Sequence, residues 1–95
     1  MDPEIKAKWL AALRSGEYKQ CQGGLKVDGR YCCLGVLCVV QGETFVGLND
    51  AVLHTSDIPK KFSAGLSTMD QYNLADLNDE GVSFAEIADV IEANY

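Results

Sequence analysis

Long apolar runs are almost missing from this sequence. The longest, Tyr31 to Val40, falls well short of the roughly 18–20 residues that a membrane span requires, so no membrane helix is expected. Basic residues are missing from Asp70 to Glu92, a stretch that holds seven acids. A field of that sign disfavours nucleic acid and anionic lipid as partners and favours a basic one. There is no C-x-x-C knuckle, only one histidine, no glycine-rich phosphate loop, no serine elbow and no H-E-x-x-H. Those absences remove the usual signatures of zinc ribbons, nucleotide binding and several hydrolase classes. No internal repeat, low-complexity tract or linker interrupts the sequence. It opens on Met1-Asp2-Pro3-Glu4, acidic and polar, so a signal peptide is not expected and the cytoplasm is the expected compartment.

The apolar run from Tyr31 to Val40 is the stretch around which the rest is organised. Leaving it wet would forfeit roughly 1.5–3 kcal/mol per large side chain, so it must be buried on most sides. Asp28-Gly29, between Leu25-Lys26-Val27 and Arg30-Tyr31-Cys32, is a strong two-residue hairpin signal. The second strand is expected to end near Cys32, and Cys33 to Val40 to follow as a short buried helix closed by Gly42. Ahead of it, a helix is predicted from Pro3, capped by Asp2 and ended by Gly16. Its apolar positions are Ile5, Trp9, Leu10, Ala12 and Leu13, with Trp9 as a core anchor. Short strands are expected at 44–46 and 51–53. A short helix carrying Pro59, Lys60, Lys61 and Phe62, capped by Ser56 or Asp57, should close at Gly65. Ser67 opens a helix with Met69, Tyr72, Leu74 and Leu77 that stops at Gly81. Ser83 and Glu86 form a capping box for a last helix whose stripe is Phe84, Ile87, Ala88 and Ile91. The predicted class is α+β, mostly α: one small helical domain over residues 1–95 with a short antiparallel β-hairpin and a buried central helix. Trp9, Leu34, Leu37, Phe84, Ile87 and Ile91 are expected to share one core.

Charge is split along the chain. Residues 1–30 carry six Lys/Arg and four Asp/Glu, whereas residues 31–95 carry two and ten. The plainest meaning of the acidic half is a solvated face that aids solubility.

Four chemistries can be tested against the residues. Cys21, Cys32, Cys33, Cys38 and His54 offer zinc ligand types, but on a helix Cys33 and Cys38 point about 140° apart at about 100° per residue. No metal site is expected, and the four cysteines read as buried free thiols. Asp76 to Gly81 matches the start of a calcium loop, yet position twelve is Ile87 where a bidentate Glu is needed. A polar helix end is the better reading. Cysteine nucleophilic catalysis would need His54 against a thiolate, a contact that spacing alone does not supply. Ser83 to Asp89 resembles the first helix of a helix-turn-helix, but a recognition helix is not expected in residues 90–95. As a recognition helix itself it would present Glu86, Asp89 and Glu92 to phosphates.

Three segments together carry a resemblance. They are Trp9 to Gln20, Tyr31 to Cys38 and Leu77 to Ala88, and in combination they resemble a family of small tailed-phage and prophage proteins. Residues 41–66 lie outside it. The resemblance implies an accessory protein made in the cytoplasm of an infected bacterium, one that binds and modulates a host factor, with counter-defence as the implied role. The leading expectation is a non-enzymatic binder of a host protein with a basic surface, engaged through Asp76, Asp79, Glu80, Asp89 and Glu92. The alternative is a binder that sequesters a small anionic signalling molecule, which requires Tyr18, Lys19, Lys26, Arg30 and Tyr31 to converge. A Cys-dependent or metal-binding protein is the third reading. No cofactor is expected.

Overall fold

A computed structural model describes residues 1–27, 29–42 and 62–95. Within them lie four helices and a two-stranded antiparallel hairpin, in the order α1 (Pro3–Ser15), β1 (Lys26–Val27), β2 (Arg30–Tyr31), α2 (Cys33–Val40), α3 (Thr68–Asp79) and α4 (Phe84–Asn94). The α+β, mainly α, architecture is the one expected. The expected strands at 44–46 and 51–53, the helix around Pro59 and Lys60, and His54 all lie outside the described residues, as does Asp28 of the turn.

Each helix starts where a side chain can satisfy the free N–H groups of the first turn. Asp2 Oδ1 accepts from the N–H groups of Glu4 and Ile5 at 2.9 and 3.3 Å, and Gly16 ends α1 at φ 78°. Ser67 Oγ accepts from Asp70 N–H at 3.1 Å, and Ser83 Oγ from Glu86 N–H at 3.2 Å. At the end of α3, Gly81 N–H donates to Asn78 O and Val82 N–H to Leu77 O, both at 3.1 Å. With Gly81 at φ 90° this is a Schellman end, which is what the calcium-like run Asp76 to Gly81 builds.

Helix α2 runs over Cys33–Val40 as expected, and strand β2 ends at Tyr31, one residue before Cys32. Cys32 is not in the strand; it is the cap, and its Sγ accepts from Gly35 N–H at 3.4 Å. The hairpin pairs Lys26 with Tyr31 and Val27 with Arg30. A second connection runs parallel: Tyr31 N–H donates to Lys19 O at 2.8 Å and Cys21 N–H to Tyr31 O at 2.9 Å, a bridge that pairs Gln20 with Tyr31.

Helix α1 packs on α2 and α4, α3 packs on α2 and α4, and α2 alone of these also packs on the hairpin, so α2 is the central helix. The expected core forms: Trp9, Leu34, Leu37, Phe84, Ile87 and Ile91 belong to one cluster, joined by Leu25, Val36 and Leu74. Trp9 also donates its Nε1–H to Cys33 O at 2.8 Å, which fixes the indole against the first turn of α2. Gly35 is the point of closest approach. A Cβ placed there would collide with the carbonyl oxygen of Leu25 and stand 3.4 Å from Tyr31 Cβ. The glycine inside the apolar run is therefore what lets the hairpin lie on α2.

Candidate functional site

The five acids expected to form a free outward face do not share one fate. All five are exposed. Arg14, reaching from α1, bonds Asp89 Oδ1 at 2.8 Å and Glu92 Oε2 at 3.0 Å. Hydrogen bonds to Asp89 and then Glu92 raise the Arg14 pKa above its ordinary value. Asp89 and Glu92 thus face outward, but as partners of α1: the end of α1 and the outer face of α4 meet, Arg14 neutralises part of their charge, and Lys6 Nζ donates to Glu92 O at 3.4 Å. Asp79 Oδ1 accepts from Gly23 N–H at 2.9 Å and so holds the 20s loop to α3. Asp76 and Glu80 make no ion pair or side-chain hydrogen bond among the described residues.

Those two acids sit beside an apolar surface that the sequence did not announce. Met69 is 67% exposed and Tyr72 47% exposed. At about 100° per residue, Met69, Tyr72, Asp76 and Glu80 fall within about 80° of the α3 circumference, and at about 1.5 Å per residue they extend over about 16 Å. Leu74 and Asn78, both fully buried, lie on the opposite side. The outward face of α3 is accordingly apolar at its N-terminal half and acidic at its C-terminal half. Met69 and Tyr72 read as ordinary helix apolar residues in sequence. What exposes them is that α3 is anchored by Leu74 and Asn78, not by the stripe that its larger side chains suggest.

Asn78 is the other residue that sequence reasoning missed. It is the one buried polar side chain among the described residues, and it joins three segments. Its Oδ1 accepts from Gln20 Nε2 at 3.0 Å and from Cys33 N–H at 3.1 Å, and its Nδ2 donates to Cys21 O at 2.6 Å. Gln20 Nε2 also donates to Val82 O at 2.7 Å. The knot satisfies polar groups that would otherwise be stranded in the core, and Asn78 at its centre is fully buried.

The five residues of the alternative anion site are divided by the pleat. Side chains alternate across a strand, so Lys26 and Tyr31 share one face of the hairpin, and Val27 and Arg30 the other. On the first face, Tyr18 meets Tyr31 edge-on with ring centroids 5.7 Å apart, and Lys26 Nζ stands 6.0 Å above the Tyr31 ring. On the second, Arg30 lines a shallow cleft of about 270 Å³ with Cys21, Gln22 and Val27. Lys19 is exposed. Of the five, Tyr18, Lys26 and Tyr31 come together, Arg30 lies apart on the other face, and Lys19 joins the group only through its backbone oxygen, which accepts from Tyr31 N–H.

All four cysteines are buried and free. Cys33 Sγ donates to Leu74 O and Cys21 Sγ to Gly24 O, each at 3.5 Å. Burial pushes the thiols of Cys21 and Cys33 up, and that of Cys32 to about 11. A thiol held protonated is a poor nucleophile near neutral pH. No cluster of three potential metal ligands occurs among the described residues.

A family model described as a domain of unknown function, DUF8296, matches residues 1–43, the segment that carries α1, the hairpin and α2. No curated protein and no solved structure matches the chain. Among the described residues no helix is long and apolar enough to cross a membrane.

Proposed function

We propose that this chain is a small non-enzymatic accessory protein of the phage type, acting in the cytoplasm of a bacterial host, which binds a host protein through the outward face of α3. The observation that carries this is the exposure of Met69 and Tyr72 on the same face as Asp76 and Glu80, which have no ion pair among the described residues. Aromatic residues and Met are enriched in the cores of protein interfaces, where charged residues form the rim. The fitting partner is a protein with an apolar patch bordered by Lys and Arg. A counter-defence role rests on the resemblance of Trp9 to Gln20, Tyr31 to Cys38 and Leu77 to Ala88 to phage and prophage proteins.

The test is affinity purification of the tagged chain from expressing bacteria, followed by association kinetics with the captured protein. Met69→Ser with Tyr72→Ser should abolish binding, and Asp76→Lys with Glu80→Lys should slow association most at low salt, where charge steering is strongest. Undiminished binding by both double variants would refute an α3 interface. A second reading, a small anionic ligand, is favoured by the grouping of Lys26 with Tyr31 and Tyr18. Mass spectrometry of small molecules in the same preparation decides it, through an anion that copurifies with wild type and is lost in Lys26→Ala.

A further inference from the structure

The register of one backbone bridge carries Cys21 toward Cys32. The parallel bridge pairs Gln20 with Tyr31, and each cysteine is the next residue along its own segment. The bridging bonds are sound, at 2.8 and 2.9 Å. Neighbouring strands lie about 4.7–4.9 Å apart, within the roughly 4.4–6.8 Å that separates the Cα atoms of a disulfide. In a parallel pair, facing residues point to the same side. Both thiols are buried there, Cys21 at 6% and Cys32 at 4% exposure, and the Asp79 carboxylate acts on both. Their access differs. Cys21 lines the cleft it shares with Gln22, Val27 and Arg30, whereas Cys32, the cap of α2, does not line it.

We propose that this pair is a thiol oxidation site, in which a low-molecular-weight disulfide enters at Cys21 and Cys32 completes an internal Cys21–Cys32 bond. Cys21 gives up its proton and attacks one sulfur of the oxidant. The oxidant's S–S bond breaks, and one half leaves as a thiolate that takes up a proton. The thiolate of Cys32 then attacks Cys21 Sγ and releases the second half as a thiol. Two protein thiols are oxidised and one disulfide is reduced to two thiols. The new ring encloses the hairpin from its first connection to its last residue. It also draws Cys32 Sγ away from Gly35 N–H, so oxidation uncaps α2. Burial raises both thiols, so the reaction is slow at neutral pH and quickens as the pH rises toward 9.

The experiment is incubation of the native full chain with glutathione disulfide at pH 7 and pH 9, trapping of residual thiols, and peptide mapping without reduction. The expected product is a Cys21–Cys32 cross-linked peptide that forms faster at pH 9, persists in Cys38→Ser and is lost in Cys21→Ser. In Cys32→Ser the reaction should stop at glutathione attached to Cys21. Should either serine variant fail to fold, the wild-type map still decides. A cross-link involving Cys33 or Cys38, glutathione retained on Cys21 of the wild type with no internal bond, or four thiols unreacted at pH 9 would each overturn the proposal.

Discussion

At the scale of single residues, two positions carry consequences that their chemistry alone does not advertise. Gly35 has no room for a methyl group, because the obstacle is the Leu25 backbone, which cannot rotate aside as a side chain would. Overpacking usually costs about 1–3 kcal/mol. Gly35→Ala should reach about 3 kcal/mol, read as a fall in the urea midpoint at unchanged slope. Cys32 supplies a pH dependence. Its folded pKa of about 11 lies above the ordinary value of 9.0, so the folded state favours the protonated thiol. The resulting stability is complete below about pH 9 and is lost as the pH climbs through 11. Thermal melts from pH 8 to 11 should show that fall, and Cys32→Ser, whose hydroxyl does not titrate, should show a shallower one.

At the scale of elements, the sequence was most legible where the signal is local. Asp2, Ser67 and Ser83 bond N–H groups two or three residues away, and Gly16 and Gly81 take the left-handed conformation that ends a helix, so each boundary is written beside itself. The Asp28-Gly29 signal placed the hairpin for the same reason. What escaped was set by partners far along the chain. Arg14 finds Asp89 and Glu92 from 75 and 78 residues away, so no local pattern in α4 separates its acids from Asp76 and Glu80, which have no ion pair among the described residues. The orientation of α3 was hidden likewise, because its inward anchor Asn78 is polar and its outward residues Met69 and Tyr72 are apolar. The two faces of this helix should therefore separate stability from binding. Met69→Ser with Tyr72→Ser should change stability by no more than about 0.5 kcal/mol per site, the usual range for surface substitutions. Leu74→Ala, on the buried face, should cost about 2–5 kcal/mol. Chemical denaturation of the two variants beside wild type checks both. Arg14→Ala should barely move the melting temperature, since exposed ion pairs add little to stability.

At the scale of the molecule, α2 is the shared contact of α1, α3 and the hairpin, and Leu37, fully buried in its middle, is the natural probe of that arrangement. Leu37→Ala should cost about 2–5 kcal/mol in a single cooperative transition. Loss of one helix ahead of the others, seen as two unfolding steps by circular dichroism and Trp9 fluorescence, would mean that the core is not continuous.

The Asn78 knot also has a history within each folding event. Its bonds to Cys33, Cys21 and Gln20 span 45, 57 and 58 residues, and long loops must be closed before any of them can form. Caps, turn and helices can all precede it. Asn78 should then act as a latch set after the rate-limiting step. Asn78→Ser should leave the refolding limb of the chevron nearly unchanged and raise the unfolding limb at unchanged slope, with the native chain opening faster in proportion to the stability removed. A refolding rate that fell in step with stability would place the knot in the nucleus instead.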